Sequence, residues 1–249
     1  MKTWILVCVS FLSLHAHCQN KDEFYPMDES WKPTSLDSGT YFIWLHQLDN
    51  GNWQWSYYNI WGPLIKTETF ADKQGTILNG RFCIYNVTGN MDSLGNFDHG
   101  NKQGSFYKLR TFRDDSIRYV MEYIYDKDSL IKTIDLLAED KKKADHDSSK
   151  EIESQYPGGI KKWGAYLSNK LAYPQRAMNR DIQGQVGVNF VVDENGKVLE
   201  AMVSKSREWS LDQEAILIIQ NSGKWIPASK DGVPVKSYKF QPINFRLTN

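Results

Sequence analysis

Cysteine, histidine and long apolar runs are all scarce in this chain. Of 249 residues, three are cysteines (Cys8, Cys18 and Cys83) and five are histidines. If the chain is cut after Cys18, Cys83 stands alone and no internal disulfide is possible. Within the apolar run RFCIY it reads as a small buried hydrophobe rather than a reactive thiol. His46, His99 and His146 show no metal-ligand spacing, and no nucleophile motif, phosphate loop or paired-carboxylate site stands out. Asp114-Asp115 and Asp145-His146-Asp147 read as turn and linker charges. The expectation is therefore no enzyme, no metal and no cofactor. The 30 basic and 30 acidic side chains cancel to zero net charge, so no global field draws nucleic acid or an anionic membrane.

The chain opens MKTWILVCVSFLSLHAHCQN: one lysine, an apolar stretch from Trp4 to Leu14, then small residues at Ala16 and Cys18. This is the layout of a secretory signal, residues 1–18, cleaved to leave Gln19 first. The apolar stretch is well short of the roughly 20 residues a membrane-crossing helix needs. Two other readings stay open: retention as an N-terminal membrane anchor, and a lipid on Cys18. Against the lipid stands His17, bulky where a small residue is wanted.

Residues 36–137 repeat one grammar, in GTYFIWL, GNWQWSYYNIWG, NGRFCIYNVTGN and LGNFDHGNKQGSFYKL. Glycine or Asn-Gly punctuates short aromatic runs, as in successive hairpins, and predicts an all-β meander. Gly80, Phe82, Tyr85, Gly89, Gly95, Phe97, Gly100, Gly104 and Phe106 resemble MORN-type repeats and the related repeats of YwqK-like proteins. Such units bury their apolar faces by stacking on neighbours. The cluster Tyr41, Phe42, Trp44, Trp53, Trp55, Tyr57, Tyr58 and Trp61 reads as cross-strand core in preference to a carbohydrate-stacking platform. The sequon at Asn86 carries no weight without a eukaryotic context. Aromatics then vanish at residues 138–155, AEDKKKADHDSSKEIESQ, which reads as a charged linker or solvated helix between domains.

Residues 156–249 predict an α+β unit ordered α-β-β-α-β, two helices on a small antiparallel sheet. Ile160, Trp163, Leu167 and Leu171 recur at helical spacing, and Tyr173-Pro174 stops the run. Val186, Val188, Phe190 and Val192 alternate as a half-buried strand, and DENG, Asp193 to Gly196, turns into a second strand with Leu199, Ala201 and Val203 on one face. Ser210 with Gln213 reads as a capping box and Asp212 as a first-turn acid. Leu211, Ala215, Ile218 and Ile219 form the buried stripe, and Gly223 the left-handed cap. The last strand carries Ile243, Phe245 and Leu247 on one face, and Pro242 within it points to an edge or a bulge. Ahead of it, KWIPASKDGVPV reads as a rigid corner in which Trp225 plugs the gap between helix and sheet.

Tyr173 and Pro174, then Gly184, Val186, Asp193 and Gly196, then Leu211 and Asp212, then Trp225, Pro227, Ala228, Gly232, Pro234 and Val235 form an ordered set. In that order and spacing, the run from Tyr156 to Leu247 resembles the C-terminal domain of TonB proteins. The resemblance implies a periplasmic module of a Gram-negative envelope, associated with transmembrane transport, that binds TonB-dependent outer-membrane transporters. The implied mode is β-augmentation, an extended partner segment adding to the last strand, with Lys236, Tyr238, Phe240, Gln241, Ile243 and Phe245 as candidates. The sequence departs from the energy transducers of that family. Phe11 stands four residues before His15 where their membrane helix has serine, and residues 138–155 contain no proline. The competing reading is an envelope scaffold without energy transduction, whose repeat region binds a further, unidentified partner. An exposed edge also leaves a homodimer open.

Overall fold

The computed structural model describes residues 22–113, 116–139 and 151–247. The expected signal segment, Asp114-Asp115 and most of the charged linker, His146 included, lie outside the described residues. No helix among the described residues is long and apolar enough to cross a membrane.

The first unit is a 10-stranded antiparallel sheet built largely in chain order. It runs through β1 (Glu23–Met27), β2 (Tyr41–Gln47), β3 (Trp53–Asn59), β4 (Leu64–Phe70), β5 (Leu78–Tyr85) and β6 (Met91–Asp98). The two-residue β7 (Asn101–Lys102) folds back on β6, and β8 (Gly104–Thr111), β9 (Ile117–Asp126) and β10 (Ser129–Asp135) complete the sheet. It begins earlier than the expected residue 36, because β1 pairs Phe24 with Trp44. Side chains alternate across it with period two. Phe42, Trp44, Tyr58, Cys83 and Tyr85 bury on one face, Ile43, Leu45 and Tyr57 on the other. Glycine does more than punctuate. Gly51 and Gly100 do take left-handed turn positions, at φ 87° and 88°, but Gly95 sits inside β6. A Cβ on Gly95 would come within 2.1 Å of the Phe106 ring. The missing side chain makes room for a ladder of edge-to-face rings, Phe82, Phe97, Phe106 and Tyr125, with centres 5.7, 5.5 and 5.2 Å apart.

The second unit has the expected order at its centre. Its main sheet is β13 (Val198–Lys205), β12 (Gly184–Val192) and β16 (Ser237–Phe245), with β12 in the middle. α1 (Gly159–Lys170), the short α2 (Gln175–Met178) and α3 (Trp209–Gln220) cover one face. Val186, Val188, Phe190 and Val192 of β12 close the core with Leu211, Ala215, Ile218 and Ile219 of α3. Trp225 is 5% exposed and sits against Tyr156, Trp163 and Phe190, its indole N–H donating to Ser222 Oγ at 2.9 Å.

Several local readings need correction. Ile160 is 86% exposed, and Tyr166 takes its place on the packed stripe of α1. In β13 the alternation breaks. From Met202 to Leu199 the strand advances three residues while β12 advances two, and the extra residue is accommodated where Glu200 adopts φ 51°. Val198 therefore joins Ala201 and Val203 at the core, and Leu199 does not. The N-cap of α3 is Glu208, whose carboxylate accepts from both Ser210 N and Ser210 Oγ; Ser210 is inside the helix and caps nothing. The final strand ends at Phe245, before Leu247, and Pro242 pairs with Gly187 in an unbroken register, so it marks an edge without a bulge. The rigid corner contains a hairpin of its own. β14 (Ala228–Lys230) turns at Asp231-Gly232, φ 51° and 84°, into β15 (Val233–Val235). β11 (Glu151–Ile152) pairs with β14, and Gln155 bridges Ile226, so the linker from residue 151 onward is docked.

Candidate functional site

The main C-terminal sheet has two outer strands, and the structure treats them differently. β13 is closed off by the first unit at its end, from Val203 onward. Lys205 bridges Asn90, Ser206 N donates to Gly89 O at 2.8 Å, and Tyr85 OH donates to Val203 O at 2.7 Å. Gly89 is fitted to this approach: its φ is 83°, and a Cβ there would stand 2.3 Å from Ser206 O. Arg81 pairs with Glu200 at 2.8 Å, and Trp209 at the start of α3 meets Phe24, Phe42 and Trp44 edge-on. On the flank, the guanidinium groups of Arg176 and Arg180 lie 4.1 and 4.2 Å from the Trp61 ring centre.

β16 keeps its outer side open. Among the described residues its backbone pairs only with β12. Segment 153–155 flanks its beginning through Ser237 Oγ to Ser154 Oγ at 2.7 Å and Lys239 Nζ to Glu153 at 3.1 Å. A proline inside a regular strand is tolerated where its nitrogen faces away from the partner strand. Gln241 Nε2 donating to Pro242 O at 3.2 Å fits a carbonyl turned outward. By period two, Tyr238, Phe240 and Asn244 then also turn their backbone groups to the open side.

The candidate edge residues divide by face. Tyr238 is 80% exposed and Phe240 45%, on the side away from the helices, with the Phe240 ring resting over Gly187. Lys236 is exposed and precedes the strand, and Gln241 is half-buried. Ile243 and Phe245 are buried in the core and, by the same alternation, turn their backbone groups to β12, so neither offers a partner anything. The remaining motif residues hold the frame. Tyr173 OH donates to Ile182 O at 2.8 Å with its ring edge-on to Phe245, and Pro174 N-caps α2. Arg207 covers Gly184, Asp193 accepts from Asn195 N and Lys197 N in its turn, and Gly196 passes so close to Trp225 O that a Cβ would stand 2.0 Å away. Pro227 leads into β14, and Pro234 pairs with Ser229 in β15.

Asp212 lies in the first turn of α3, as read from sequence, and does more there. It is fully buried between the units, accepting from Ser206 Oγ, Arg207 N and Tyr58 OH. Leu64 N donates in turn to Ser206 Oγ at 2.8 Å, so the carboxylate ties both domains together. Burial pushes its pKa up to about 7, against the pull of its three donors and with the help of nearby Glu208. Glu208 is also buried and is met by Arg176 Nε at 2.6 Å.

Between the sheet's inner face and the β13–α3 side of the second unit lies a cavity of about 520 Å³. Trp44, His46, Ser56, Thr67, Thr69 and Arg81 contribute to its wall. Reading the sequence strand by strand missed it, because its two walls are far apart in the chain. The available signal was polar residues sharing a parity with core aromatics: Gln54 and Ser56 with Tyr58, and Arg81 with Cys83 and Tyr85. Among the described residues no cluster of three or more His, Cys, Asp or Glu could hold a metal ion.

Comparison with curated proteins gave no match, and comparison with solved structures gave none. Residues 169–247 match the family model described as Gram-negative bacterial TonB protein C-terminal, so the part of the chain that carries the β16 edge is similar to that domain.

Proposed function

We propose that this protein is a binding module of the Gram-negative envelope, with no enzymatic role of its own, that takes up an extended segment of a partner along β16. The observation that carries the reading is the asymmetry of the C-terminal sheet: the end of β13 is sealed by the first unit, while β16 presents an edge unpaired among the described residues. An added strand would gain affinity from main-chain hydrogen bonds to residues 238–244 and selectivity from Tyr238 and Phe240 beside it. The family match favours a TonB-dependent outer-membrane transporter as partner and the periplasm as location, with residues 1–18 acting as an export signal. The connection between the units is short in sequence and its described end, residues 151–155, is docked, which favours an accessory or scaffold role over a long energy-transducing reach. The repeat-like first sheet would serve as a rigid platform, with its MORN-like aromatic ladder on the face opposite the C-terminal unit.

The test uses Tyr238→Pro, which removes an outward donor while leaving the β12 ladder intact. The purified protein should bind synthetic peptides copied from the N-terminal boxes of such transporters, and the variant should bind at least tenfold more weakly with unchanged circular dichroism. Equal binding by a folded variant would sink the edge-strand reading.

A further inference from the structure

We infer that the first sheet forms the second wall of the strand-binding site. A segment added to β16 lies in the mouth of a wedge between the two sheets, where Tyr107 and Tyr119 select a partner carrying large aromatic side chains on the face turned towards them. This rests on the β16 reading above and gives the first unit a task in it. The wedge follows from register. From Lys205 to Glu200, β13 runs along the inner face of the first sheet, meeting Asn90, Tyr85 and Arg81 in turn, so the strands lie alongside one another there. From this line one row of paired residues leads outward in each sheet. In the C-terminal sheet the row is Met202, Asn189 and Phe240, and in the first sheet it is Leu94, Tyr107, Glu122 and Ile134. Both rows start in one core, since Met202, Leu94 and Tyr107 pack against the same buried cluster. The first sheet therefore continues outward through β8, β9 and β10, the C-terminal sheet only through β12 and β16. At about 4.8 Å per strand, a strand added to β16 stands about 14 Å out and takes the place still missing opposite β10.

The two walls face each other across this gap. Val191 pairs with Tyr238 on the sheet face that the helices leave uncovered, yet it is only 3% exposed. Burial chiefly raises the pKa of Tyr107 and Tyr119, and the Tyr238 hydroxyl pushes both the same way from across the gap. The mouth itself is open, since Tyr238 is 80% and Tyr119 36% exposed. Packed sheets lie about 10 Å apart with side chains interdigitated between them. A wedge is wider than that at its mouth, so only a long side chain spans it. Charge does not choose the occupant, because Glu122 and, one row along on β10, Lys132 both lie on this face of the first sheet. Rings do. Tyr107 and Tyr119 meet edge-on with centres 5.1 Å apart, and Tyr238 and Phe240 stand on the other wall. An aromatic side chain on the added strand would take Tyr238 or Phe240 as its cross-strand neighbour and the Tyr107–Tyr119 pair over the gap. Strand alternation lets only every second residue do so.

The test titrates the full chain with the transporter box peptides and with copies carrying one tryptophan at each position in turn, using wild type, Tyr119→Thr and Tyr238→Pro. Tryptophan at alternate positions should tighten binding to wild type about three- to tenfold, and at the positions between it should give no gain. Tyr119→Thr changes an exposed strand position to a residue that suits a strand, so the melt and the affinity for the parent peptide should stay close to wild type. The tryptophan gain should be lost in it. A gain that survives Tyr119→Thr would come from β16 alone and would overturn the second wall while the β16 edge still stands. Equal gains at every position would do the same. Failure of every peptide to bind, with amides of residues 238–244 exchanging as before, would overturn the β16 reading and this inference with it. Sedimentation should show a monomer. A dimer broken by Tyr238→Pro would assign the mouth to a second copy of the chain and overturn the inference as well.

Discussion

Replacing Asp212 by asparagine should change how stability depends on pH, in a direction and amount fixed by its surroundings. The folded carboxyl has its pKa raised from 3.8 to about 7, chiefly by burial. The native state therefore holds a proton that the unfolded chain has released between those values. Its contribution is fully present below about 3.8 and is lost as pH rises towards about 7. At about 1.4 kcal/mol per pH unit, the whole loss is about 4 kcal/mol, of which roughly 2–3 kcal/mol falls between about pH 5 and about pH 8. Asparagine keeps an oxygen for Arg207 N, and its amide can donate where Oδ2 now accepts from the rotatable hydroxyls of Ser206 and Tyr58. The variant should fold and lack the titration. His46, whose pKa burial lowers, contributes with the opposite sign, but it is common to both proteins and cancels in their difference. Urea unfolding of wild type and Asp212→Asn at several pH values reads this difference directly. Wild type should lose roughly 2–3 kcal/mol relative to the variant over the stated range. A constant offset between the two would refute the argument that Asp212 is buried and protonated on folding.

Gly89→Ala introduces a Cβ at 2.3 Å from Ser206 O, in a backbone region that favours glycine. It should cost about 1–3 kcal/mol and loosen the seal on β13, visible as a lower melting temperature and faster proteolysis between the units. An unchanged melt and digestion pattern would contradict the interlocked arrangement. Trp225→Ala should destabilise the C-terminal unit by about 3–5 kcal/mol, and Trp225→Phe by clearly less, since a ring still fills the site but the bond to Ser222 is lost. Denaturant titration followed by near-ultraviolet circular dichroism distinguishes the two.

The sequence carried the local physics well and the long-range geometry poorly. Period-two patterns in β12 and the helical stripe of α3 were visible because each element meets one apolar face, and both are buried as expected. Trp225 was legible as a plug for the same reason. Ile160 was misread because one turn at a helix start can lie past the end of the surface it would cover, and Tyr166 fills that role instead. The bulge at Glu200 broke an alternation that the letters alone presented as continuous. Asp212 is legible as a first-turn acid and lies there, but its role between the units is not legible, because its partners are remote: Tyr58, 154 residues away, completes the site only after both units fold together. The same distance hid the cavity and the sealing of β13. The charged run at residues 138–155 reads as a linker or solvated helix, and its described end is more than that: Glu151, Glu153 and Gln155 dock on β14, β16 and Ile226.

The central claim is that β16 is the open edge on which a partner strand is added. Hydrogen–deuterium exchange of the whole protein, with and without a transporter N-terminal box peptide, tests it most directly. The account predicts new protection of amides within residues 238–244, at Tyr238 and Phe240 above all, with the ladder between β12 and β13 unchanged. Protection confined to the first sheet, or peptide binding that leaves residues 238–244 exchanging as before, would contradict it.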